Sequence, residues 1–212
     1  MQLKPDLIVA DITMQKDLYP LLKQIAPTIM LNGLLGDLDT QIKNTEILAK
    51  ATNTLNKIPN LTKELKDQYR KAKQDGAKHK NTVIIGFISS AGKFQALTAN
   101  ALTSEILKDF SHPNLIKVSR KEQATFIPIE TLVAMNPSNI IILLTNGDTR
   151  PYSKYIKKPL WYKLNAVKTK KIYFMDRDIW AKNHGLLATK LLIDEAYETG
   201  FISNKPNNEL TF

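Results

Sequence analysis

The polar and aromatic side chains that follow the predicted strands favour recognition of an anion over catalysis. Lysine, arginine, amide and hydroxyl groups donate hydrogen bonds to carboxylate or catecholate oxygens, and aromatic rings supply an apolar wall. Such residues gather in three segments that we expect to be loops, 89–100, 146–154 and 176–184. The candidate ligand-binding residues of these segments are Lys93, Gln95, Asn100, Arg150, Tyr152, Trp180 and His184.

The usual sequence signatures of metal binding and covalent catalysis are missing. The chain has no cysteine, and its three histidines, His79, His112 and His184, are far apart. The glycines around 86–92 have neither the dinucleotide-binding nor the Walker spacing. The carboxylates of Asp176-Arg177-Asp178 follow a predicted strand, where such residues usually cap the next helix. We therefore predict a binding module rather than an enzyme, with no catalytic residues, metal or cofactor of its own.

The chain carries a formal net charge of +10, from 30 lysines and arginines against 20 aspartates and glutamates. Nucleic acid is the first partner that such a balance suggests. The lysines are spread along the chain, however, and no zinc finger, RNP motif or arginine-rich arm is present. We therefore expect solvated lysine faces or a small anionic ligand, and no nucleic-acid partner.

Apolar runs of strand length alternate with helical patterns, which predicts an α/β fold with a mainly parallel sheet flanked by helices. In such sheets ligands bind beyond the carboxyl ends of the strands, which selects the three loops above. The strands are expected at 6–10, 27–31, 82–88, 138–144 and 171–175.

Three segments divide the predicted architecture. Residues 1–36 are interpreted as a remnant of an N-terminal lobe, 37–80 as a helical segment with an inter-lobe helix, and 81–212 as a C-terminal α/β ligand-binding lobe. The inter-lobe helix is expected at 61–80, after an interruption at Pro59-Asn60. Its polar surface is typical of a helix that bridges two bodies in solvent.

The pattern of 3–9 recurs at 135–141 without a gap, as expected of two lobes of similar build. Chance recurrence of an apolar-polar-Pro pattern explains this echo equally well. If the first lobe is truncated, an N-terminal segment of about 100 residues is absent. A chain without it is expected to bind its ligand weakly or not at all.

Four stretches together form a recognisable set. Leu3 to Ile8 reads L-K-P-D-L-I, and Pro128 to Pro137 forms a matching helix-stop unit in the second half. The third is W-Y-K-L-N-A-V-K at 161–168 followed by K-I-Y, and the fourth is D-R-D-I-W at 176–180 followed by Gly185. The set resembles the class III periplasmic substrate-binding proteins of ABC importers, which handle ferric siderophores, ferric citrate, haem and cobalamin. The fourth stretch is similar to the ferric-citrate branch.

The resemblance implies a ferric siderophore or ferric citrate held between two lobes and delivered to an ABC permease, in the periplasm. The iron would arrive already chelated, so no cofactor is implied. Glu130 matches the family's permease-docking glutamate, although a first-turn carboxylate stabilised by the helix dipole explains it too. His184 stands where the ferric-citrate branch has an arginine. A histidine is only partly charged near neutral pH, so its interaction with citrate would be weaker than that of an arginine or of a different kind.

Two alternatives remain open at this point. The chain could be a stand-alone interaction protein that forms a homodimer through apolar surface exposed around Leu7, Val9, Ile29 and Leu31. It could also be a haem-binding member of the same family. The iron ligand would then be Tyr152 or Tyr155.

Overall fold

The computed structural model describes residues 3–33, 36–118, 122–182 and 185–207. The strands are β1 (Ile8–Asp11), β2 (Thr28–Leu31), β3 (Val83–Ile88), β4 (Phe94–Leu97), β5 (Ala124–Ile127), β6 (Asn139–Leu144) and β7 (Ile172–Asp176). The helices are α1 (Ile12–Gln15), α2 (Tyr19–Ile25), α3 (Leu38–Ala51), α4 (Ile58–Gly76), α5 (Leu102–Asp109), α6 (Ile129–Met135), α7 (Arg150–Tyr155), α8 (Asn165–Lys168) and α9 (Leu186–Glu198). Short 3-10 turns occupy Lys16–Leu18, Leu55–Lys57 and Pro159–Lys163, and one π-helical turn occupies Asp178–Lys182.

Strands β3 to β7 form one mixed sheet in the order β5-β4-β3-β6-β7. Strands β3, β6 and β7 are parallel, whereas β4 is antiparallel to both of its neighbours. The predicted α/β class is confirmed. Two loop predictions are wrong, because 89–100 contains β4 and 146–154 contains most of α7. Strand β4 has only four residues, which is too short for a clear strand pattern in the sequence. Pro151 lies in the first turn of α7, where the missing amide hydrogen costs no helical hydrogen bond.

The central strands β3 and β6 of the sheet are buried on both faces. Val83 and Ile85 pack with α4, α5 and α9 on one face, while Ile84 and Ile88 pack with α6, α7 and α8 on the other. This two-sided burial explains why β3 and β6 read as continuous apolar runs. We call these two layers the α9 layer and the α7 layer.

Helix α4 begins earlier than predicted and buries one side in the α9 layer. Pro59 lies in its first turn and starts the helix rather than interrupting it. Its buried side includes Leu65, Tyr69 and Ala72, which belong to the α9 layer. The Tyr197 hydroxyl donates a 2.8 Å hydrogen bond to Asp75 and ties α9 to α4. Most of the other residues of α4 are exposed, as its polar surface predicts, and the inter-lobe role stays a prediction.

Strands β1 and β2 form a separate parallel pair. Val9 is 49% exposed, as expected for unpaired apolar surface. Leu7 and Ile29 are half-buried, and Leu31 is buried, so the prediction of exposure is wrong at Leu31. The homodimer stays a prediction.

A buried histidine makes the folding stability depend on pH. His112 is fully buried, and its ring centroid lies 4.8 Å from that of Phe201. Burial lowers the pKa of His112 below its ordinary value of 6.5, because the imidazolium would lose its hydration. The unfolded chain binds a proton there below about pH 6.5, and the folded chain does not. The stability of the fold with a neutral, buried His112 is therefore fully present above about pH 6.5, and the free energy of unfolding falls as the pH falls below that value.

We expect His112→Leu to flatten the fall in unfolding free energy between about pH 6.5 and about pH 5. The slope it removes is at most about 1.4 kcal/mol per pH unit. Urea unfolding at several pH values measures the slope. Phe201→Leu, which alters the same buried ring contact and removes no titratable group, is the matched control and should keep the wild-type slope. A wild-type slope in His112→Leu would mean that the pH dependence has another origin.

Candidate functional site

One edge of the sheet collects the ends of all five strands. The parallel strands β3, β6 and β7 end there, at Ile88, Leu144 and Asp176. Phe94, the first residue of β4, pairs with Ile88 and also with Ile127, the last residue of β5. A tight turn joins β3 to β4, in which the Ser89 amide donates a 2.9 Å hydrogen bond to the Lys93 carbonyl. The three predicted ligand-binding segments therefore begin at a common edge.

Three side chains form a row across neighbouring strands close to this edge. Phe87, Gln95 and Phe126 pair directly across β3, β4 and β5, so their side chains point to the same face. Phe126 is 56% exposed, and Phe87 and Gln95 are half-buried. Adjacent strands lie about 4.8 Å apart, so the row spans about 10 Å. We call these three residues the aromatic row.

A cation lies over each end of the aromatic row. The guanidinium carbon of Arg177 lies 3.6 Å from the centroid of the Phe87 ring. The Nζ of Lys93 lies 5.8 Å from the centroid of the Phe126 ring. Both distances fall within the range of cation–π attraction, which holds each charge near a ring face. The row therefore presents two positive charges on an apolar floor.

Sequence reasoning missed both rings of this row as ligand-binding candidates, and it also missed Arg177. Arg177 is half-buried, and its Nη1 lies 3.5 Å from the Thr145 hydroxyl. Its Nε is buried without a hydrogen-bond partner among the described residues. A guanidinium fork with an unpaired donor suits a carboxylate or catecholate oxygen. The available signal was its position, directly after the strand predicted at 171–175.

The segment after Arg177 is held by carboxylates. The Asp176 carboxylate accepts hydrogen bonds from the amides of Asp178, at 2.6 Å, and Ile179, at 3.2 Å, as the capping interpretation predicts. Trp180 is 1% exposed, and its Nε1 donates a 2.6 Å hydrogen bond to Glu195. The prediction that Trp180 forms a wall of the ligand site is therefore wrong, because its ring is part of the α9 layer.

Arg150 and Tyr152 lie at the same edge, in α7. Arg150 is exposed and forms a two-pronged ion pair with Asp148, with its Nε and Nη2 at 2.8 and 2.9 Å from the carboxylate oxygens. These hydrogen bonds lower the pKa of Asp148 to about 2. An anionic ligand must therefore compete with Asp148 for Arg150. Tyr152 is buried but lines a small pocket of about 60 Å³ together with Phe87 and Arg177.

The remaining predicted residues do not all lie at this edge of the sheet. Gln95 lies in the middle of β4 rather than in a loop, and Asn100 follows the opposite end of that strand from Lys93. Glu130 is exposed in the first turn of α6. His184 lies outside the described residues. The edge thus brings together Lys93, Gln95, Arg150 and Tyr152 of the predicted set.

The geometry does not support a haem-ligating tyrosine. Tyr152 is 6% exposed and Tyr155 only 2% exposed. Burial raises the pKa of both phenols to about 12. The Nζ of Lys158 also lies 4.3 Å from the centroid of the Tyr155 ring. An iron-ligating tyrosine has to be reached by the haem and to lose its proton, and neither phenol meets these conditions in this structure.

The described residues lack two further features. Within 3–33, 36–118, 122–182 and 185–207, no helix is both long and apolar enough to cross a membrane. In the same ranges, no three histidine, aspartate or glutamate side chains are grouped so that they could hold a metal ion. The edge of the sheet instead offers cations, an amide and aromatic rings, a set of groups that suits an anion.

Comparison with known proteins shows the family of the chain. Residues 1–179 match the model of the family described as periplasmic binding protein. The Fe(3+)-citrate-binding protein YfmC of Bacillus subtilis is 31% identical over 188 residues, which cover 89% of this chain and 59% of YfmC. The putative ABC transporter substrate-binding lipoprotein YhfQ of the same bacterium is 29% identical over 208 residues, which cover 91% of this chain and 63% of YhfQ.

A solved structure shows the same fold. The crystal structure of Staphylococcus aureus SirA superposes with a TM-score of 0.74 at 23% identity, covering 94% of this chain and 77% of SirA. The chain spans about three fifths of the length of YfmC and YhfQ. Because the family model matches most of its residues, the chain belongs to the periplasmic binding protein family.

Proposed function

We propose that this protein is the substrate-binding component of an ABC importer for a ferric chelate, with ferric citrate as the first candidate. The observation that carries the proposal is the pair of cations, Arg177 and Lys93, held over the two ends of the aromatic row. Ferric citrate is favoured because the relative YfmC is named as a Fe(3+)-citrate-binding protein.

The chemistry of the row supports an anionic chelate rather than free iron. Two cations held over opposite ends of a row about 10 Å long can each pair with a carboxylate of one complex. The apolar floor suits the less polar faces of a chelate whose iron is already enclosed by its own ligands. The formal net charge of +10 would also speed the encounter with an anion.

Isothermal titration of this chain with ferric citrate tests the proposal, in parallel with a ferric catecholate and a ferric hydroxamate. We expect saturable binding of ferric citrate with a Kd of about 10 μM. Iron-free citrate is the control and should bind at least about tenfold more weakly, because it lacks the compact shape of the complex. The absence of binding to all three chelates by a folded sample would contradict the proposal. Tight binding of only the catecholate or the hydroxamate would replace citrate as the ligand.

The proposed delivery step uses Glu130, which is exposed beside the carboxyl edge of the sheet. A carboxylate there can pair with a basic patch on a permease, on the periplasmic side of the membrane. In vesicles that contain the cognate permease, Glu130→Gln should slow chelate uptake and leave chelate affinity unchanged. Glu64→Gln, an exposed carboxylate of α4, is the matched control. Equal uptake by both variants would contradict the docking role.

A further inference from the structure

The segment that carries Arg177 is fastened on both sides by one carboxylate from a distant helix. The amide of Asp176 donates a 2.8 Å hydrogen bond to Oε1 of Glu195. The indole Nε1 of Trp180 donates a 2.6 Å hydrogen bond to Oε2 of the same side chain. Arg177 lies in the chain between these two anchored residues. We propose that Glu195 is a positioning residue for Arg177, an inference that rests on the proposed function of the site.

The backbone between the two anchors needs such support. The π-helical turn Asp178–Lys182 begins directly after Arg177, and π-helical turns are rare because their hydrogen-bond geometry is poor. The Thr103 hydroxyl of α5 donates to the carbonyl of Trp180, which holds the turn from a second side. The Asp176 carboxylate holds the first amides of this turn, and Glu195 in addition connects the Trp180 side chain to the Asp176 amide at the end of β7. The direction in which Arg177 leaves β7 therefore depends on both Glu195 oxygens.

A charged, half-buried Glu195 costs free energy, which argues that its two hydrogen bonds serve to fix the position of the Arg177 segment. Burial raises the pKa of Glu195, and the carboxylates of Asp176 and Glu198 are its charged neighbours. Among the described residues, no cation forms an ion pair with Glu195. A half-buried carboxylate without a cationic partner is expensive, and an apolar residue could pack α9 at less cost. Each oxygen of Glu195 instead meets one donor from the Arg177 segment.

Glu195→Gln tests this role with little change in volume. The amide presents one oxygen and one NH2 group, so one of the two donors loses its acceptor. We expect about tenfold weaker ferric-citrate binding. The Nε–H resonance of Arg177, shifted by the Phe87 ring, should move toward its unstacked position in the ligand-free protein. Trp180→Phe removes only the indole donor. The loss of ferric-citrate affinity and the shift of the Arg177 resonance should therefore have the same direction as in Glu195→Gln but be smaller.

Glu198→Gln is the matched control, because it removes a charge from the same helix without touching the Arg177 segment. A second test repeats Glu195→Gln in an Arg177→Lys background, where the loss should shrink to less than about twofold. An undiminished tenfold loss in that background would mean that Glu195 acts on the whole fold and would overturn the inference. An unmoved Arg177 resonance in Glu195→Gln would overturn it as well. If the resonance moves but the wild-type chain binds no chelate, the positioning role holds and only the proposed function fails.

Discussion

Replacing Arg177 with methionine is expected to weaken ferric-citrate binding about thirtyfold. The guanidinium lies 3.6 Å above Phe87 and has a buried Nε without a partner among the described residues. A ligand carboxylate that pairs with this group meets a partly desolvated charge, where an ion pair is stronger than at an exposed site. Methionine replaces the apolar stem of the arginine side chain but not its guanidinium, so the variant removes the charge and keeps part of the packing.

Isothermal titration measures the change, and thermal unfolding confirms that the variant folds. Arg70→Met is the matched control, because Arg70 is an exposed arginine of α4 that forms an ion pair with Asp67. That control makes the same change in net charge and should alter the affinity less than about twofold. Equal affinities for the two variants would show that Arg177 acts only through the overall charge and would remove it from the site.

Gly86→Ala is expected to reduce the stability by about 3 kcal/mol or more. A Cβ at this position would lie 2.5 Å from the carbonyl oxygen of Gln95 and 2.6 Å from Cε1 of Phe94. These atoms belong to the partner strand β4 and to the core, so neither can move without breaking the β3–β4 pairing. The damage would therefore include the position of Gln95 and the chelate affinity. Urea unfolding and isothermal titration measure the two effects.

Gly147→Ala is the control for adding the same methyl group. A Cβ at Gly147 would meet nothing within 4 Å, but the φ of +69° disfavours any residue with a side chain. The expected loss is about 1 kcal/mol. If the two variants lost equal stability, close contact at Gly86 would not be the reason for glycine there.

The parallel part of the sheet was predictable and the antiparallel part was not. Strands β3 and β6 are apolar along their whole length because helices cover both faces, and such runs are visible in any sequence. Strands β4 and β5 have four residues each, and a polar residue interrupts the apolar side chains of each. Phe126 is more than half exposed. The aromatic row arises only from cross-strand register, which no local pattern encodes.

The candidate site also has a part that could be predicted from the sequence and a part that could not. The segments that follow β6 and β7 were located correctly, because their position depends only on the strand ends. The role of each residue within these segments depends on its tertiary contacts. Trp180 looked available for a ligand, but Glu195 on α9 and the core of the α9 layer hold its indole. Arg177 looked like part of a helix cap and instead lies over Phe87, a contact between β7 and β3, which are not adjacent in the sheet.

The two tryptophans lie on opposite faces of the sheet, and this separation gives the protein two independent optical signals. Trp161 belongs to the α7 layer, where the rings of Tyr152 and Tyr155 stand edge-on to it at 5.8 and 5.7 Å. Trp180 belongs to the α9 layer and donates to a carboxylate. With one tryptophan replaced by phenylalanine, the emission of the other reports on its own layer. Intrinsic fluorescence can therefore follow the loosening of one side of the sheet while the other side stays packed.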